Sequence, residues 1–164
     1  MIGRVVSLQL HEAHGRPLRP VEEARALPDH GLAGDVHARP GGRRSVLLAD
    51  VRTLAALGLS PGDLREQLTV DLPGLDRLPA GTLIEVGEVV LELTGPCAPC
   101  RHIGELLGRD DPEAFRRELL GRRGMLAWVR AATAEGRLRV GDALVVVTGG
   151  PSTVGPAGFE PATS

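Results

Sequence analysis

The chain has 164 residues, of which 42% are hydrophobic and 24% charged, and its net charge is -2 at pH 7. This length and composition are typical of one globular domain and exclude a disordered chain. The near-neutral charge and the low aromatic content, 2% of the chain, argue against a nucleic-acid partner, which needs a basic surface or base-stacking side chains.

The N-terminal third of the chain is predicted to contain one strand and one long loop. Residues 2–10 alternate between apolar and polar side chains, as in a half-buried strand. Residues 22–26 lie among prolines and are expected to form at most one helical turn. Residues 30–44, "HGLAGDVHARPGGRR", are expected to form a long ordered loop, a kind of segment that often carries function.

The next segment is predicted to pass from a strand to a helix and back to extended structure. Residues 45–49 are an apolar run typical of a buried strand. Asp50 can cap the helix that follows, and Gly58 can end it. Residues 64–70 then indicate extended structure after a turn.

Two hairpins and a strand are predicted in the second half of the chain. The clearest pattern is a pair of strands at residues 82–86 and 89–93, joined by the two-residue turn Gly87-Glu88. The segment "GMLAWVRAA" predicts a further strand. Residues 135–148 indicate a second hairpin-like pair around Gly141-Asp142.

Two short helices complete the pattern. Residues 102–108 indicate the first, and the second has Asp111 as N-cap, Pro112 at its first position and Gly121 after its end. Many short strands with only a few helices favour a mainly β, antiparallel, barrel-like fold over a parallel βαβ sheet.

The chain is expected to form one domain at residues 1–148 and a disordered tail at residues 149–164, a small, Pro-rich and aperiodic stretch. The N-terminus lacks the apolar core of a secretory signal, and no stretch approaches the roughly 18 apolar residues of a membrane span. We therefore expect a cytoplasmic protein without a membrane partner.

The segment "TGPCAPCRHI" holds the only two cysteines, Cys97 and Cys100. Together with His37 and His102, the two cysteines could supply four zinc ligands. The sequence has no second C-x-x-C and no H-x-x-x-H motif to support such a site. A redox pair would need a βαβ context, and two inert buried thiols are the plain alternative. In the fourth interpretation Cys100, at the start of a helix and beside Arg101, is a reactive thiolate that binds a metal or carries sulfur.

The surrounding sequence favours the fourth interpretation. The segments "GLAGDVHA", "RRSVLLADV", "GLSPGDLREQLTV", "GLDRLPAGTLIEVGEVVLELTGPCAPC" and "RRGMLAWVRAATAEGRLRVGDALVVV" occur in this order. Together they resemble the MOSC domain, the module named after the C-terminal domain of molybdenum cofactor sulfurase, and the small standalone bacterial members resemble the chain most. The resemblance extends over about residues 2–147.

The resemblance implies a β-rich, barrel-like fold linked to the molybdenum cofactor, a pterin dithiolene (molybdopterin) with a terminal phosphate. It implies that Cys100, which matches the characteristic cysteine of the family, ligates molybdenum in members that hold the cofactor or carries sulfur in others. Some relatives reduce N-hydroxylated compounds such as hydroxylaminopurines. A soft thiolate suits such a metal, and an anionic phosphate suits Arg and backbone donors.

The resemblance also suggests the other site residues. Asp35 and His37 of "GDVHA" are expected to line the site as catalytic groups, with loop-stabilising hydrogen bonds as the alternative. The residues Glu66, Gln67 and Thr69 match a family run in which the usual Asn is here Gln67. The Arg residues expected to hold the cofactor, each with an exposed surface role as the alternative, are Arg43, Arg44, Arg65, Arg122 and Arg123.

We therefore predict a protein that binds molybdenum cofactor and reduces a small N-hydroxylated substrate. The electrons would come from a separate donor protein, because the sequence has no visible flavin or iron–sulfur motif. The alternatives are a sulfur carrier with a persulfide on Cys100, and a non-catalytic module that holds the cofactor or, less favoured, zinc.

Overall fold

The structure, a computed structural model, describes residues 1–147, so the expected tail at residues 149–164 lies outside the described residues. Eleven strands, three α-helices and one 3-10 turn form within the described part of the chain. The strands are β1 (Ile2–Leu10), β2 (Arg19–Val21), β3 (Glu23–Leu27), β4 (Gly31–Leu32), β5 (Val46–Asp50), β6 (Leu68–Asp71), β7 (Leu83–Val86), β8 (Val89–Pro96), β9 (Met125–Ala132), β10 (Arg137–Arg139) and β11 (Ala143–Val146). The helices are α1 (Val51–Ala56), α2 (Arg101–Leu106) and α3 (Pro112–Glu118), and the 3-10 turn is Leu75–Arg77.

Seven of the strands close into a barrel. Their order is β11-β7-β8-β9-β5-β6-β1, and β11 also pairs with β1, which joins the two edges. Strand β2 pairs with the end of β1, and β10, β3 and β4 form a small second sheet. The pairs are antiparallel except for β5 and β6, which run parallel. The prediction of a mainly β, barrel-like fold is confirmed.

The barrel interior is filled by aliphatic side chains, because the chain has very few aromatic residues. Three of the completely buried side chains are Leu48 of β5, Leu68 of β6 and Leu93 of β8. Each such Leu contributes about 1.5–3 kcal/mol to folding. A second, smaller cluster packs the helices against β5, and it holds Ala49, Leu54, Leu57, Leu64, Ile103, Phe115 and Leu119. This second cluster therefore fixes α2, and with it the segment that carries the two cysteines.

The helix caps agree with the prediction. Asp50 accepts a hydrogen bond from the Arg52 amide at 3.1 Å at the start of α1. Asp111 does the same for the Ala114 amide at 3.0 Å at the start of α3. The predicted hairpin of β7 and β8 is also present. Among the described residues, no helix has both the length and the apolar character needed to cross a membrane.

The prediction for residues 22–26 is wrong, because the structure has strand β3 where we expected at most a helical turn. Ala24 and Ala26 are buried while Glu23 and Arg25 are exposed, which is the period of a strand. On one side β3 pairs with β4, and on the other with β10, which is more than a hundred residues away in sequence. The sequence pattern of a short segment between prolines gives no information about a strand partner that is distant in the chain.

The prediction of a second hairpin around Gly141-Asp142 is also wrong, because the two strands do not pair with each other. Strand β10 pairs with β3, and β11 pairs with β1 and β7. The Gly141 amide donates to the Val5 carbonyl at 2.8 Å, and the Val5 amide donates to the Asp142 carbonyl at 2.9 Å. Strand β1 therefore takes the hydrogen bonds that a hairpin partner would have taken.

Candidate functional site

A cavity of about 300 Å³ lies where the turn after β1, the loop before β5, the residues before β6 and the cysteine segment meet. This volume is at the lower end of the range for small-molecule sites. Six of the residues predicted from the sequence line it together: His37, Arg44, Arg65, Gln67, Cys100 and Arg123. The chain thus brings distant parts of the sequence to one cavity.

The two cysteines have different environments. Cys100 is exposed and occupies the N-cap position of α2, where its side chain makes no capping hydrogen bond. Cys97 is half-buried, and its amide donates to the Gly124 carbonyl at 2.9 Å. Burial raises the pKa of the Cys97 thiol, although the nearby positive charges of Arg123 and Arg44 oppose this. Burial therefore disfavours the thiolate form of Cys97.

Three guanidinium groups line the cavity near the cysteines. The Arg123 Nη1 atom lies 3.9 Å from the Cys100 sulfur, and its Nη2 atom donates to the Leu64 carbonyl at 3.4 Å. Burial, and then the charge of Arg123, lower the pKa of Arg65. Among the described residues, Arg44, Arg65 and Arg123 have no carboxylate partner. Such a cluster of unneutralised cations is suited to an anionic ligand.

Two details of these residues also indicate a ligand site. The Nε atom of Arg123 is buried and has no hydrogen-bond partner among the described residues. An unpaired buried donor costs about 1–3 kcal/mol unless a ligand satisfies it. Arg65 has a φ of 66°, a left-handed conformation that is strained for a residue other than glycine, and its Nη1 atom donates to the Arg16 carbonyl at 2.9 Å.

Asp35 lies behind the cavity wall and holds two imidazoles. Its two oxygens lie 3.1 Å from the Nδ1 atoms of His11 and His37, and each also accepts the backbone amide of the same residue at 2.8 Å. Burial by itself would raise the pKa of Asp35, but the hydrogen bonds from both histidines outweigh it and hold the pKa well below its usual range. The carboxylate is therefore ionised at neutral pH.

Gln67 joins this network to the backbone. Its amide nitrogen donates to the Ser45 carbonyl at 3.0 Å and lies 3.4 Å from both oxygens of Asp35. Its amide oxygen accepts from the Leu47 amide at 2.8 Å. The Gln67 side chain is thus largely occupied in fixing the loop before β5, although it also lines the cavity.

Glu66 and Thr69, predicted as cofactor-binding residues, do not line the cavity. Glu66 is completely buried and accepts from the amides of Gly62 and Leu64 at 2.8 and 3.1 Å and from the Thr69 hydroxyl at 2.6 Å. Burial raises the pKa of Glu66, and these hydrogen bonds only partly offset the effect. Both side chains hold the turn that carries Arg65.

Two further predicted Arg residues also lie away from the cavity lining. The guanidinium carbon of Arg43 lies 4.2 Å from the centre of the Trp128 ring, a cation–π contact. Arg122 follows α3 and is not among the lining residues.

The sequence analysis missed His11 and His14, which line the cavity. They lie in the turn after β1, in the segment "HEAH". Two histidines three residues apart at the end of a predicted strand are a sequence signal that could have identified them.

The residues considered for a zinc site all line the cavity: Cys97, Cys100, His37 and His102. Among the described residues, however, metal-ligand spacing occurs in a different group: His11, Asp35 and His37.

Asp35 is expected to make the folded state sensitive to acid. Its pKa is lowered by folding, so its contribution to stability is complete above the ordinary Asp value of 3.8 and is lost as the pH falls from there towards the folded-state pKa. In urea titrations between pH 7 and pH 3, the unfolding free energy of the wild type should fall below pH 4 more steeply than that of Asp35→Asn, by at most about 1.4 kcal/mol per pH unit. Equal slopes for the two proteins would contradict this assignment.

Comparison with known families finds one match, in the central and C-terminal part of the described chain. Residues 45–145 match the family model of the MOSC domain. A search among curated protein sequences finds no match.

Several solved structures share the fold. The YuaD protein of Bacillus subtilis has a TM-score of 0.78 and 20% identity, over 88% of this chain and 94% of that one. YiiM of Geobacillus stearothermophilus has a TM-score of 0.67 and 18% identity, over 88% and 75%. YiiM of Escherichia coli has a TM-score of 0.61 and 19% identity, over 88% and 70%. At these identities the likeness shows a common fold.

Proposed function

The chain belongs to the MOSC domain family, and from this premise we propose that it binds the molybdenum cofactor in the cavity and reduces small N-hydroxylated compounds. The observation that carries the proposal is the combination of Cys100 with three guanidinium groups in the lining of one cavity. A thiolate is a soft ligand for a transition metal, and guanidinium groups bind phosphate through paired hydrogen bonds.

The residues present fit this cofactor. The buried, unpaired Nε atom of Arg123 can donate to an anionic ligand, and no carboxylate among the described residues forms an ion pair with Arg44, Arg65 or Arg123. In our proposal these three side chains hold the terminal phosphate, and the Cys100 thiolate ligates the metal. Cys97, with its raised pKa, is the poorer ligand.

When bound, the cofactor would supply the two-electron chemistry that converts an N–OH group to N–H and releases water. The balance of this reaction needs two electrons and two protons. The His37 side chain is 42% exposed and lines the cavity, and Asp35 holds its Nδ1 atom. In our proposal the opposite edge of this ring delivers a proton to the leaving oxygen.

We propose that the electrons come from a separate protein. An iron–sulfur cluster takes about four cysteine ligands, and the whole sequence has two cysteines. The donor itself would be a small redox protein or domain that reaches the cavity from solvent.

The test is a measurement of molybdenum and pterin per chain in protein from a host that makes the cofactor and from one that cannot. The same preparations are assayed for reduction of a hydroxylaminopurine with a chemically reduced dye as electron source. We expect near-stoichiometric molybdenum and pterin, with turnover, only from the first host. Protein without molybdenum but with a persulfide on Cys100 would overturn the proposal and indicate a sulfur carrier, and bound cofactor without turnover would indicate a non-catalytic module.

A further inference from the structure

Beside the cavity, two imidazoles share one buried carboxylate. The Nδ1 atoms of His11 and His37 lie 3.1 Å from different oxygens of Asp35, whose side chain is completely buried. Since the carboxylate accepts, each ring carries a proton on Nδ1, which leaves Nε2 as the nitrogen that can bind a metal. This is the arrangement by which a carboxylate behind a histidine sets the tautomer and the orientation of a metal ligand.

Both rings reach the cavity. His11 is only 4% exposed, yet it lines the cavity together with His37. The rings of His11 and His37 are nearly perpendicular, with centroids 4.6 Å apart. Two nitrogen donors are thus brought to one place by residues on different segments of the chain.

A third imidazole stands next to this pair. His14 lines the same cavity, and its ring centroid lies 5.6 Å from that of His37. Because His14 is exposed and lies in a turn, its side chain can move onto a ligand without disturbing the core. Three histidine nitrogens with an open fourth position are a common ligand set for Zn²⁺.

The charge at Asp35 favours a cation. A buried carboxylate needs a compensating positive charge or it is costly to the fold. In the described part of the chain no Arg forms an ion pair with Asp35. The basic side chains in contact with this carboxylate there are those of His11 and His37. A divalent ion bound to these rings would supply that charge.

We propose that His11, His14 and His37, oriented by Asp35, form a binding site for a divalent transition-metal ion such as Zn²⁺, with its open position towards the cavity. Imidazole is a preferred ligand of Zn²⁺, Co²⁺, Cu²⁺ and Ni²⁺. The site uses nitrogen donors and no cysteine. It therefore does not rest on the proposed function, although a metal bound to His37 would occupy the ring edge from which we propose that a proton is delivered.

The experiment titrates Zn²⁺ into chelator-treated full-length protein by calorimetry, and follows Co²⁺ binding by its absorption spectrum. The variants are His37→Ala and Asp35→Asn, with His102→Ala as the matched control and Cys100→Ala as the test for a sulfur ligand. His102 is another imidazole on the cavity lining, but it lies outside the cluster, 3.5 Å from Glu105. Molybdenum is measured on the same preparations, so that the two proposals are tested separately.

We expect one Zn²⁺ per chain, an affinity about 10–100-fold lower in Asp35→Asn, and at least as large a loss in His37→Ala. The control His102→Ala should bind as the wild type does, and the cobalt spectrum should lack a thiolate-to-metal charge-transfer band. Because Asp35→Asn can destabilise the fold, the decisive variant is His37→Ala, which changes an exposed side chain. The proposal is overturned by a wild type that does not bind Zn²⁺, by unchanged affinity in His37→Ala, or by a thiolate band that disappears in Cys100→Ala.

Discussion

Replacing Cys100 with Ala is expected to lower the molybdenum bound per chain by more than about tenfold, since even changes behind a metal ligand cost about 10–100-fold in affinity. Cys100 is exposed, so the loss of its sulfur should not disturb the core. Plasma mass spectrometry of purified protein from a cofactor-competent host, with pterin fluorescence on the same samples, measures the effect. Pterin should be lost less completely than molybdenum, because Arg44, Arg65 and Arg123 would still bind the phosphate.

The matched control is Cys97→Ala. It removes the neighbouring sulfur, whose thiol is half-buried and has a raised pKa, and it should keep at least half of the wild-type molybdenum. Circular dichroism of both variants checks that they fold. If molybdenum disappears in Cys97→Ala and stays in Cys100→Ala, the two cysteines have exchanged the roles that we assign to them.

Replacing Glu66 with Ala is expected to lower the free energy of unfolding by about 3–5 kcal/mol, a large part of the roughly 5–15 kcal/mol typical of a domain. The change leaves the amides of Gly62 and Leu64 and the hydroxyl of Thr69 without their acceptor. Each unsatisfied buried donor costs about 1–3 kcal/mol, and relief from burying the charge offsets part of the sum. Urea denaturation followed by circular dichroism measures the loss.

Glu66→Gln is the control for shape. The Gln amide keeps one oxygen as an acceptor. Its NH₂ group replaces the other oxygen and faces a donor that it cannot accept from, so we expect the free energy of unfolding to fall by a smaller amount, about 1–3 kcal/mol. Because the Glu66 turn carries Arg65, both variants should also bind pterin less tightly, in the order of their stability. A fully stable Glu66→Ala protein with weakened pterin binding would instead support the direct cofactor role that the sequence predicted.

The candidate site could be predicted in part. Cys100 and His37 come from short segments whose residue types carry their chemistry, and both line the cavity. The predicted roles of Asp35, Glu66 and Thr69 followed from their position in a resemblance, which does not separate residues that face a ligand from residues that support them. That separation depends on whether the side chain points to the cavity or to backbone amides behind it.

The charge of the site could be predicted only in part, because the resemblance singled out five Arg residues and three of them, Arg44, Arg65 and Arg123, line the cavity. The chain has 19 basic residues, all of them Arg, and the pattern alone does not distinguish one from another. In the structure Arg116 pairs with Glu113, Arg139 pairs with Glu23, and Arg43 stacks on Trp128. Arg65 and Arg123, in contrast, come together in the cavity with no carboxylate partner among the described residues, because the segments before β6 and before β9 meet there and Arg123 donates to the Leu64 carbonyl.

The sequence by itself determined the mainly β class, the first hairpin, the helix caps and the cysteine segment, because these depend on contacts between residues close in the chain. Only the tertiary structure decided the strand order, in which β1 inserts beside Gly141-Asp142 and β3 pairs with β10. It also decided that His11 joins Asp35 and His37. These contacts join residues that are distant in sequence, and their free energy depends on burial and hydrogen-bond partners that exist only after the barrel has closed.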